Sequence, residues 1–430
     1  MKNRFLIITL ILWAVNLYGQ NYLDVLRPIR GMSGKSGAES GITPAAMVAS
    51  NSLLGNPALL SYIDKPFVSA DLSFDRVEGL SVYNSAIQAN PSDEGISFNS
   101  LSYIKPVRVY RGAWVWGFNV QPVNSFTTIN SFSDVDSEDG YEFSYSRHYQ
   151  ETGSLYAFSM GTSVLVTMNT SLGFAVSYLS GSNSLRKVYQ ETDPNDHFGF
   201  DRYIDSLHFN PDYGGFAGRV GLLTELSETL NLGVSLELPS RISVSESSSA
   251  NESEWNDAGV KTVISNTSNS GLEYAVWGPW RIGAGLGFSA SPLSASVNYR
   301  FHTYSTSFLT GNLLGTDGFN DLEDQVDVEI EEYVRDVQEF SASLLWSMNP
   351  LSLSFAASIM NDPLRYRFDN IVNLNFGIGY QHSSGLGLTL AFRNEQWQSD
   401  LNHILDSGVE RSVEVENNLA KFQIGIKYIL

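Results

Sequence analysis

The sequence predicts an all-β fold, an antiparallel transmembrane β-barrel of about fourteen strands. Apolar and small polar residues alternate with a period of two over runs of about ten residues, long enough to cross a bilayer at a tilt. Short and long connections alternate along the 430-residue chain. Aromatic residues make up 12% of the chain and charged residues only 17%, which favours a sheet with one face against an apolar medium.

The polar face of each run distinguishes a membrane barrel from a soluble β-sandwich. A sandwich exposes Lys, Glu and Arg to water, whereas these runs carry mostly Gly, Ser, Asn and Thr between the apolar residues. Small polar side chains suit the crowded, hydrated inside of a barrel whose apolar face meets lipid. The runs lie at 293–302, 340–348, 372–381, 386–393 and 422–430.

The lengths of the connections support the same fold. Tight turns are predicted near 109–112, 167–170, 226–229, 290–292, 349–350 and 382–385. The connections between them are mostly longer, at 80–94, 124–140, 180–212, 240–272, 304–335, 361–369 and 398–417, and we expect loops there. Outer-membrane barrels have short turns on one side and long loops on the other.

Two of the expected loops are strongly acidic. Asp134, Asp136, Glu138 and Asp139 lie in one, and seven Asp and Glu residues fall within 321–332 in another. Hard divalent cations bind carboxylates, but solvated, mutually repelling loops are the favoured interpretation, and no metal site is predicted. The apolar spacing in 322–337 fits either a short amphipathic helix or a strand extension.

The N-terminus and the overall charge indicate the compartment and exclude some partners. Lys2 and Arg4 precede an apolar run, Phe5 to Val15, and Gly19 offers a cleavage point, so residues 1–19 are predicted to be a signal peptide. We expect export to the bacterial outer membrane. The net charge of −20 argues against a nucleic-acid partner, and the absence of Cys excludes disulfides and thiolate sites.

No sequence motif indicates catalysis or a cofactor. The chain has no G-x-S-x-G, Walker or H-E-x-x-H pattern, and its six histidines lack metal-ligand spacing. Arg300 and His302 share the inward face of one strand and are interpreted as polar lumen residues. We therefore expect a protein without enzymatic activity. A barrel hydrolase with Ser and His on neighbouring strands stays open, because such a pair is spatial.

The segment before the first strand does not alternate. Residues 26–62 are rich in Gly, Ala and Ser, and a small-residue segment of this kind fits inside a barrel as a plug. We therefore divide the mature chain into a hatch at 20–65 and a barrel at 66–430. The apolar residues of the hatch are candidate ligand contacts: Ile42, Met47, Val48, Leu53 and Leu54.

The end of this segment carries a family resemblance. Asn56-Pro57-Ala58, followed by Lys65-Pro66 and a strand from Phe67, resembles the end of the N-terminal hatch in the FadL/TodX family of outer-membrane transporters. The resemblance implies a fourteen-stranded barrel with a hatch inside its lumen. Leu59 departs from the pattern, where Gly often follows the Ala. Independently of any family, Asn before Pro holds a turn, because its side chain can bond the backbone two residues on.

The resemblance implies passive transport of long-chain fatty acids or other hydrophobic small molecules, with a hydrophobic ligand and outer-membrane lipid as partners. Barrels of the PorV type share a similar hatch and motif. A non-catalytic barrel in a protein-secretion or surface-assembly system, with a secretion-system partner, is therefore the alternative.

Pro122 is the last candidate feature. It continues the apolar face of the third strand, yet proline cannot donate to a ladder and is confined to edges, bulges and strand ends. Either the ladder breaks there or the strand has already ended and a loop begins. In the resembling family a kink in the third strand makes a side opening. That resemblance implies a lateral opening at Gln121, Pro122 and Val123.

Overall fold

A computed structural model of the chain describes residues 52–83, 86–138, 141–197, 199–311, 334–361, 363, 370–404 and 410–430. The predicted signal peptide, most of the predicted hatch and the acidic stretch 321–332 lie outside these residues. The described chain is almost entirely strand, with two short 3-10 helices at Pro57–Tyr62 and Tyr304–Thr306. Among the described residues, no helix is long and apolar enough to cross a membrane.

The strands form one antiparallel sheet. In chain order they are β1 Phe67–Tyr83, β2 Ala86–Ala89, β3 Asp93–Val107, β4 Trp114–Ser125, β5 Thr128–Glu138, β6 Tyr141–Thr167, β7 Thr170–Thr192, β8 Arg202–Glu225, β9 Leu230–Glu237, β10 Arg241–Trp255, β11 Lys261–Trp277, β12 Arg281–Ala290, β13 Leu293–His302, β14 Phe308–Thr310, β15 Val337–Met348, β16 Leu351–Asn361, β17 Asn370–Gln381, β18 Leu386–Ile404 and β19 Glu410–Ile429.

The sheet closes into a barrel because its first and last strands pair. Phe67 of β1 lies opposite Ile429 of β19, and the pairing runs unbroken to Val82 opposite Glu414. Four pairs of segments continue each other as single barrel strands, namely β4–β5, β9–β10, β11–β12 and β13–β14, while β2 is a short addition to β1. The described chain is thus a closed, fourteen-stranded antiparallel barrel, as the sequence predicts.

The predicted alternation gives the barrel an apolar outer surface. On β19, Phe422, Ile424, Ile426 and Tyr428 are exposed, while Lys421 and Gln423 between them are buried in the lumen. Outward Phe158, Tyr178 and Phe216 form a row of aromatic contacts across three strands. Large exposed apolar side chains on every side are costly in water and favourable in lipid, so this surface is the membrane face.

We call the end of the barrel that holds the tight turns and both Phe67 and Leu430 the turn end. The opposite end is the loop end. Several long connections there are not loops, and the expectation of loops at 80–94, 124–140, 180–212, 240–272 and 398–417 is wrong for most of their lengths. Strands β6, β7 and β8 continue far beyond the apolar band, and Asp134 and Asp136 lie within β5.

The extended strands at the loop end are held by their own packed side chains. Leu185, Leu207 and Phe209 form a buried cluster on β7 and β8. Burial, together with the Glu252 carboxylate, raises the pKa of the nearby Asp205 carboxyl to about 6, although Arg147 opposes the shift. Inward apolar residues that alternate with polar ones therefore favour strand structure beyond the membrane as well, because the inward side chains pack against each other.

We expect the cost of a charge on the membrane face to depend on depth. Ile424→Arg lies near the middle of the apolar band of β19 and should lower the free energy of unfolding by about 2–4 kcal/mol, whereas Leu430→Arg at the turn end should cost about 0–1 kcal/mol. Denaturant unfolding of protein refolded into phospholipid vesicles measures both. Equal costs at the two positions would contradict this placement of the bilayer.

Candidate functional site in the barrel lumen

The Asn-Pro-Ala turn is attached to the inside of the barrel wall. The Asn56 carboxamide accepts a hydrogen bond from the Ala58 backbone nitrogen at 3.0 Å and donates one to the Leu222 carbonyl oxygen of β8 at 3.1 Å. Ser163 of β6 donates through its hydroxyl to the Ala58 carbonyl oxygen at 3.1 Å. One asparagine therefore both caps the 3-10 helix and fixes the turn to the wall.

The wall beneath this turn is made of residues with little or no side chain. A Cβ atom at Gly173 would overlap the backbone of Pro57 and Ala58, and one at Gly221 would overlap the Asn56 side chain. Gly173 and Gly221 face each other across β7 and β8. These glycines are required by the close approach of the turn, so the wall and the turn are complementary in shape.

Two leucines before the turn contact different parts of the lumen. Leu53 is buried with Leu60, Ile104, Val115 and others near the turn end. Leu54 belongs to a separate apolar cluster further from the turn end. One face of the segment 52–63 therefore fills the lumen near the turn end, and the other face borders the middle of the barrel.

On the loop-end side of this segment the lumen holds a layer of buried ion pairs, which we call the polar belt. Glu237 bridges Arg219 at 3.0 Å and Arg281 at 2.7 Å between nitrogen and oxygen atoms. Glu339 lies 3.3 Å from Arg300 and 3.4 Å from His302. The polar belt consists of Asp75, Arg219, Glu237, Arg281, Arg300, His302, Glu339, Arg393, Glu395 and Lys421.

One inward position further toward the loop end, the side chains become apolar. On the strands that supply Asp75, Arg219 and Glu339, the next inward residues are Val77, Ala217 and Val337. This apolar layer is a single buried cluster that includes Val77, Val123, Phe126, Leu155, Ala157, Leu179, Ala217, Tyr304, Val337, Trp397 and Leu419. The lumen thus changes from charged to apolar over a single inward step, about 7 Å along a strand.

The pairing of β3 with β4 ends beside the apolar layer. Its last pair is Leu101 opposite Val120, although β3 continues from there toward the loop end and stays paired with β1. On its other side β4 remains paired with β6, with a register shift between Pro122 and Asn124. The strand runs on to Ser125 and resumes as β5, so Pro122 does not begin a loop.

Past Val120 the third barrel strand stays paired with β6 but not with β3, and both of its faces are buried. Both alternate positions are buried from Gln121 to Asn124, whereas earlier in β4 the outward Trp114 and Phe118 are exposed. Val123 and Phe126 join the apolar layer. β3 and β4 are unpaired from the Leu101–Val120 pair to the level of Ile96, and we call this separation the seam.

Two aromatic rings cover the seam from outside. Phe98 of β3 and Tyr156 of β6 approach to 6.3 Å between ring centroids, outside the part of β4 that is not paired with β3. Beyond them β5 contacts β1, where Ser81 donates to the Ser131 carbonyl oxygen at 3.3 Å. Leu101 and Ile96, below and above the seam, are exposed on the membrane face. The seam therefore lies within the apolar band, bounded by protein at both ends.

Kinks elsewhere in the wall do not separate strands in this way. Near Pro239 and Pro279 two barrel strands are interrupted at the same level. There the Gly278 nitrogen still donates to the Ser240 carbonyl oxygen at 2.8 Å, and the Leu238 nitrogen to that of Gly218 at 2.9 Å. Proline alone therefore does not account for the seam.

The sequence-predicted site residues divide into three groups. Ile42, Met47 and Val48 lie outside the described residues. Asn56, Pro57 and Ala58, with Leu53 and Leu54, are buried against the lower wall. Arg300 and His302 both contact Glu339 in the polar belt. Within the described residues no cluster of His, Asp or Glu could hold a metal ion.

Sequence reasoning missed the belt partners and the layering. Glu237 lies directly opposite Arg219 and Arg281 in the ladder, and Glu339 lies directly opposite Arg300, so the pairing register brings each acid to its basic partner. The available signal was charge on an inward face: a lone Arg or Glu among Gly, Ser and Asn needs a partner on a neighbouring strand.

Solved structures show the same fold at low sequence identity. The Pseudomonas putida toluene transporter TodX aligns with a TM-score of 0.60 and 12% identity, over 91% of this chain and 99% of that one. A FadL homologue of Pseudomonas aeruginosa gives 0.61 and 10%, over 94% and 98%. The Ralstonia pickettii toluene transporter TbuX gives 0.54 and 12%, over 91% and 99%.

The chain has the FadL-type barrel fold. The resemblance drawn from Asn-Pro-Ala and the strand count is confirmed at this level. No family model matches the sequence, and no curated protein matches it.

We expect a larger side chain at Gly173 to release the Asn-Pro-Ala turn. The chain has no Cys, so Leu59→Cys gives a single buried thiol beside the turn. Gly173→Leu should speed maleimide labelling of that thiol about 10- to 100-fold, because overpacking costs about 1–3 kcal/mol.

Gly95→Leu is the control for this variant, since a Cβ at Gly95 meets no atom within 4 Å. Added to Leu59→Cys, this control substitution should leave the labelling rate at that of Leu59→Cys alone. Slow labelling in the Gly173→Leu variant would show that the turn is held by something other than its close contact with Gly173 and Gly221.

Proposed function

We propose that this chain is an outer-membrane passive transporter of hydrophobic small molecules, long-chain fatty acids among them. The observation that carries the proposal is the apolar layer, which lies on the loop-end side of the polar belt and reaches the seam through Val123 and Phe126. A site of this kind binds apolar compounds by burial and requires no covalent chemistry.

The polar belt determines the direction in which the cargo leaves. To continue along the barrel axis, a hydrophobic molecule would have to pass between ion-paired side chains such as Arg219 and Glu237. Separating buried charges is costly because each is left without its partner. The seam offers apolar contacts instead. We therefore propose that cargo leaves sideways at Gln121, Pro122 and Val123, between Phe98 and Tyr156, into the bilayer.

The hatch closes the path along the barrel axis on the turn-end side of the polar belt. We propose that residues 20–65 form this hatch, with the seated segment 52–63 as its fixed end. Leu54 already contributes to the apolar layer. Ile42, Met47 and Val48 are proposed as further apolar contacts on the same hatch. In this arrangement the turn end faces the periplasm, and residues 1–19 are removed as a signal peptide during export.

The comparisons support the proposal through the fold. Two of the similar structures are toluene transporters and a third is a FadL homologue. The fold alone does not identify the cargo, so the first test is direct. Native mass spectrometry of the detergent-extracted protein should find a bound apolar lipid or fatty acid.

We expect closure of the seam to stop transport. Phe98→Cys and Tyr156→Cys, introduced together, place two thiols on either side of the seam in a chain without native cysteine. A short thiol-reactive crosslinker with a reducible link should abolish uptake of radiolabelled hexadecanoate by cells that lack their own transporter. Reduction should restore it.

Tyr178→Cys with Phe216→Cys is the matched control. These two rings also face outward and lie 5.3 Å apart between centroids, but their strands remain paired. Crosslinking there should leave uptake unchanged. Full uptake with the seam crosslinked would refute the lateral route.

A further inference from the structure

Two carboxamide side chains lie at the point where β3 and β4 separate. Asn99 of β3 and Gln121 of β4 have exposed fractions of 0% and 1%. Among the residues that the structure describes, neither the nitrogen nor the oxygen of either carboxamide has a hydrogen-bond partner. Burying a polar group without a partner is unfavourable, so a feature repeated on both sides of one opening calls for an explanation.

The backbone explains why these two side chains lack partners. The next inward pair toward the turn end is Ser102 and Asn119, where the Asn119 carboxamide donates to the Ser102 hydroxyl at 2.8 Å. Gln121 is the first inward residue of β4 beyond the last pair. Asn99 is skipped in the pairing with β1, between Ser100 and Phe98. Strand separation therefore removes from Asn99 and Gln121 the cross-strand partner that Asn119 retains.

The surroundings of Gln121 are otherwise apolar. It lies opposite Ala157 of β6, and Leu155 and Val123 nearby belong to the apolar layer. A hydrocarbon passing through the seam would contact these side chains but leave both carboxamides unsatisfied. A cargo that carries a hydrogen-bonding group could satisfy them while its apolar part remained in contact with the layer.

We propose that Asn99 and Gln121 form a recognition site for one neutral hydrogen-bonding group, a hydroxyl, carbonyl or carboxamide, on the hydrophobic cargo as it enters the seam. This proposal rests on the proposed transport function and narrows its substrate class. A carboxamide both donates and accepts, so the two side chains can match any of these groups.

The apolar surroundings favour a neutral group over an anion. Leu155, Ala157 and Val123 beside Gln121 all belong to the apolar layer, and a carboxamide carries no charge of its own. An anion at the seam would be buried without a charged partner among these side chains, which is unfavourable.

The test compares three cargoes with the same chain length: 1-hexadecanol, hexadecane and hexadecanoate, each radiolabelled. Uptake is measured in cells that lack their own transporter and express the full chain. The variants are Asn99→Leu and Gln121→Met, alone and together, which keep the volume of each side chain and remove its amide. Barrel yield is followed by heat-dependent migration on gels.

Asn375→Leu is the matched control. Asn375 is also buried in the lumen, with neither amide atom partnered among the described residues, but it lies on β17 away from the seam. It should not alter uptake of any of the three probes.

We expect uptake of 1-hexadecanol, relative to hexadecane, to fall about threefold in each single variant and about tenfold in the double variant. Uptake of hexadecane should stay at the parent level, and that of hexadecanoate should change less than that of the alcohol. An unchanged ratio of alcohol to hydrocarbon would overturn the recognition site while leaving transport itself intact.

Two further results would also overturn it. An equal fall for all three probes would make the amides structural. A fall for hexadecanoate as large as for the alcohol would refute selection of a neutral group. If the parent protein took up none of the probes, the proposed function would fail first, and the recognition site with it.

Discussion

A bilayer imposes one constraint on this molecule: backbone N–H and C=O groups facing lipid must find partners within the protein. Closure of β1 on β19 meets that constraint at the ends of the sheet. At the seam β3 and β4 stop pairing inside the apolar band, and the third barrel strand, still paired with β6, is buried on both faces. The apolar layer, the aromatic cover and the buried carboxamides all lie around this seam.

The lumen is organised by the same alternation that forms the outside. Because every second residue points inward, a change from Asp75 to Val77, or from Glu339 to Val337, changes the character of the lumen within one step on each strand. Repeated around the barrel, these single steps produce the polar belt toward the turn end and the apolar layer toward the loop end. The belt opposes axial passage of a hydrophobic molecule, and the apolar layer leads to the seam. The proposed sideways exit rests on these two features together.

Period-two alternation and turn chemistry were sufficient to predict the fold, including the strand count, and Asn56-Pro57-Ala58 was sufficient to mark the turn before β1. The expectation of loops at the loop end is wrong because polar, acidic segments such as that around Asp134 do not have to be solvated loops. Their alternation with Phe132, Leu185 and Phe209 instead supports long strands. The partners of Arg300 and His302 could not be predicted, because Glu339 lies in a distant segment and register decides which residues meet.

Transport by the proposed route requires cargo to occupy the apolar layer and the seam, on the loop-end side of the polar belt. Anomalous diffraction from crystals soaked with a terminally brominated hexadecanol tests this most directly. We predict bromine peaks beside the apolar layer, with density for the alkyl chain passing Val123 toward Phe98 and Tyr156. Bromine below the belt, beside the seated segment 52–63 with an undisturbed seam, would contradict it and place the route along the barrel axis.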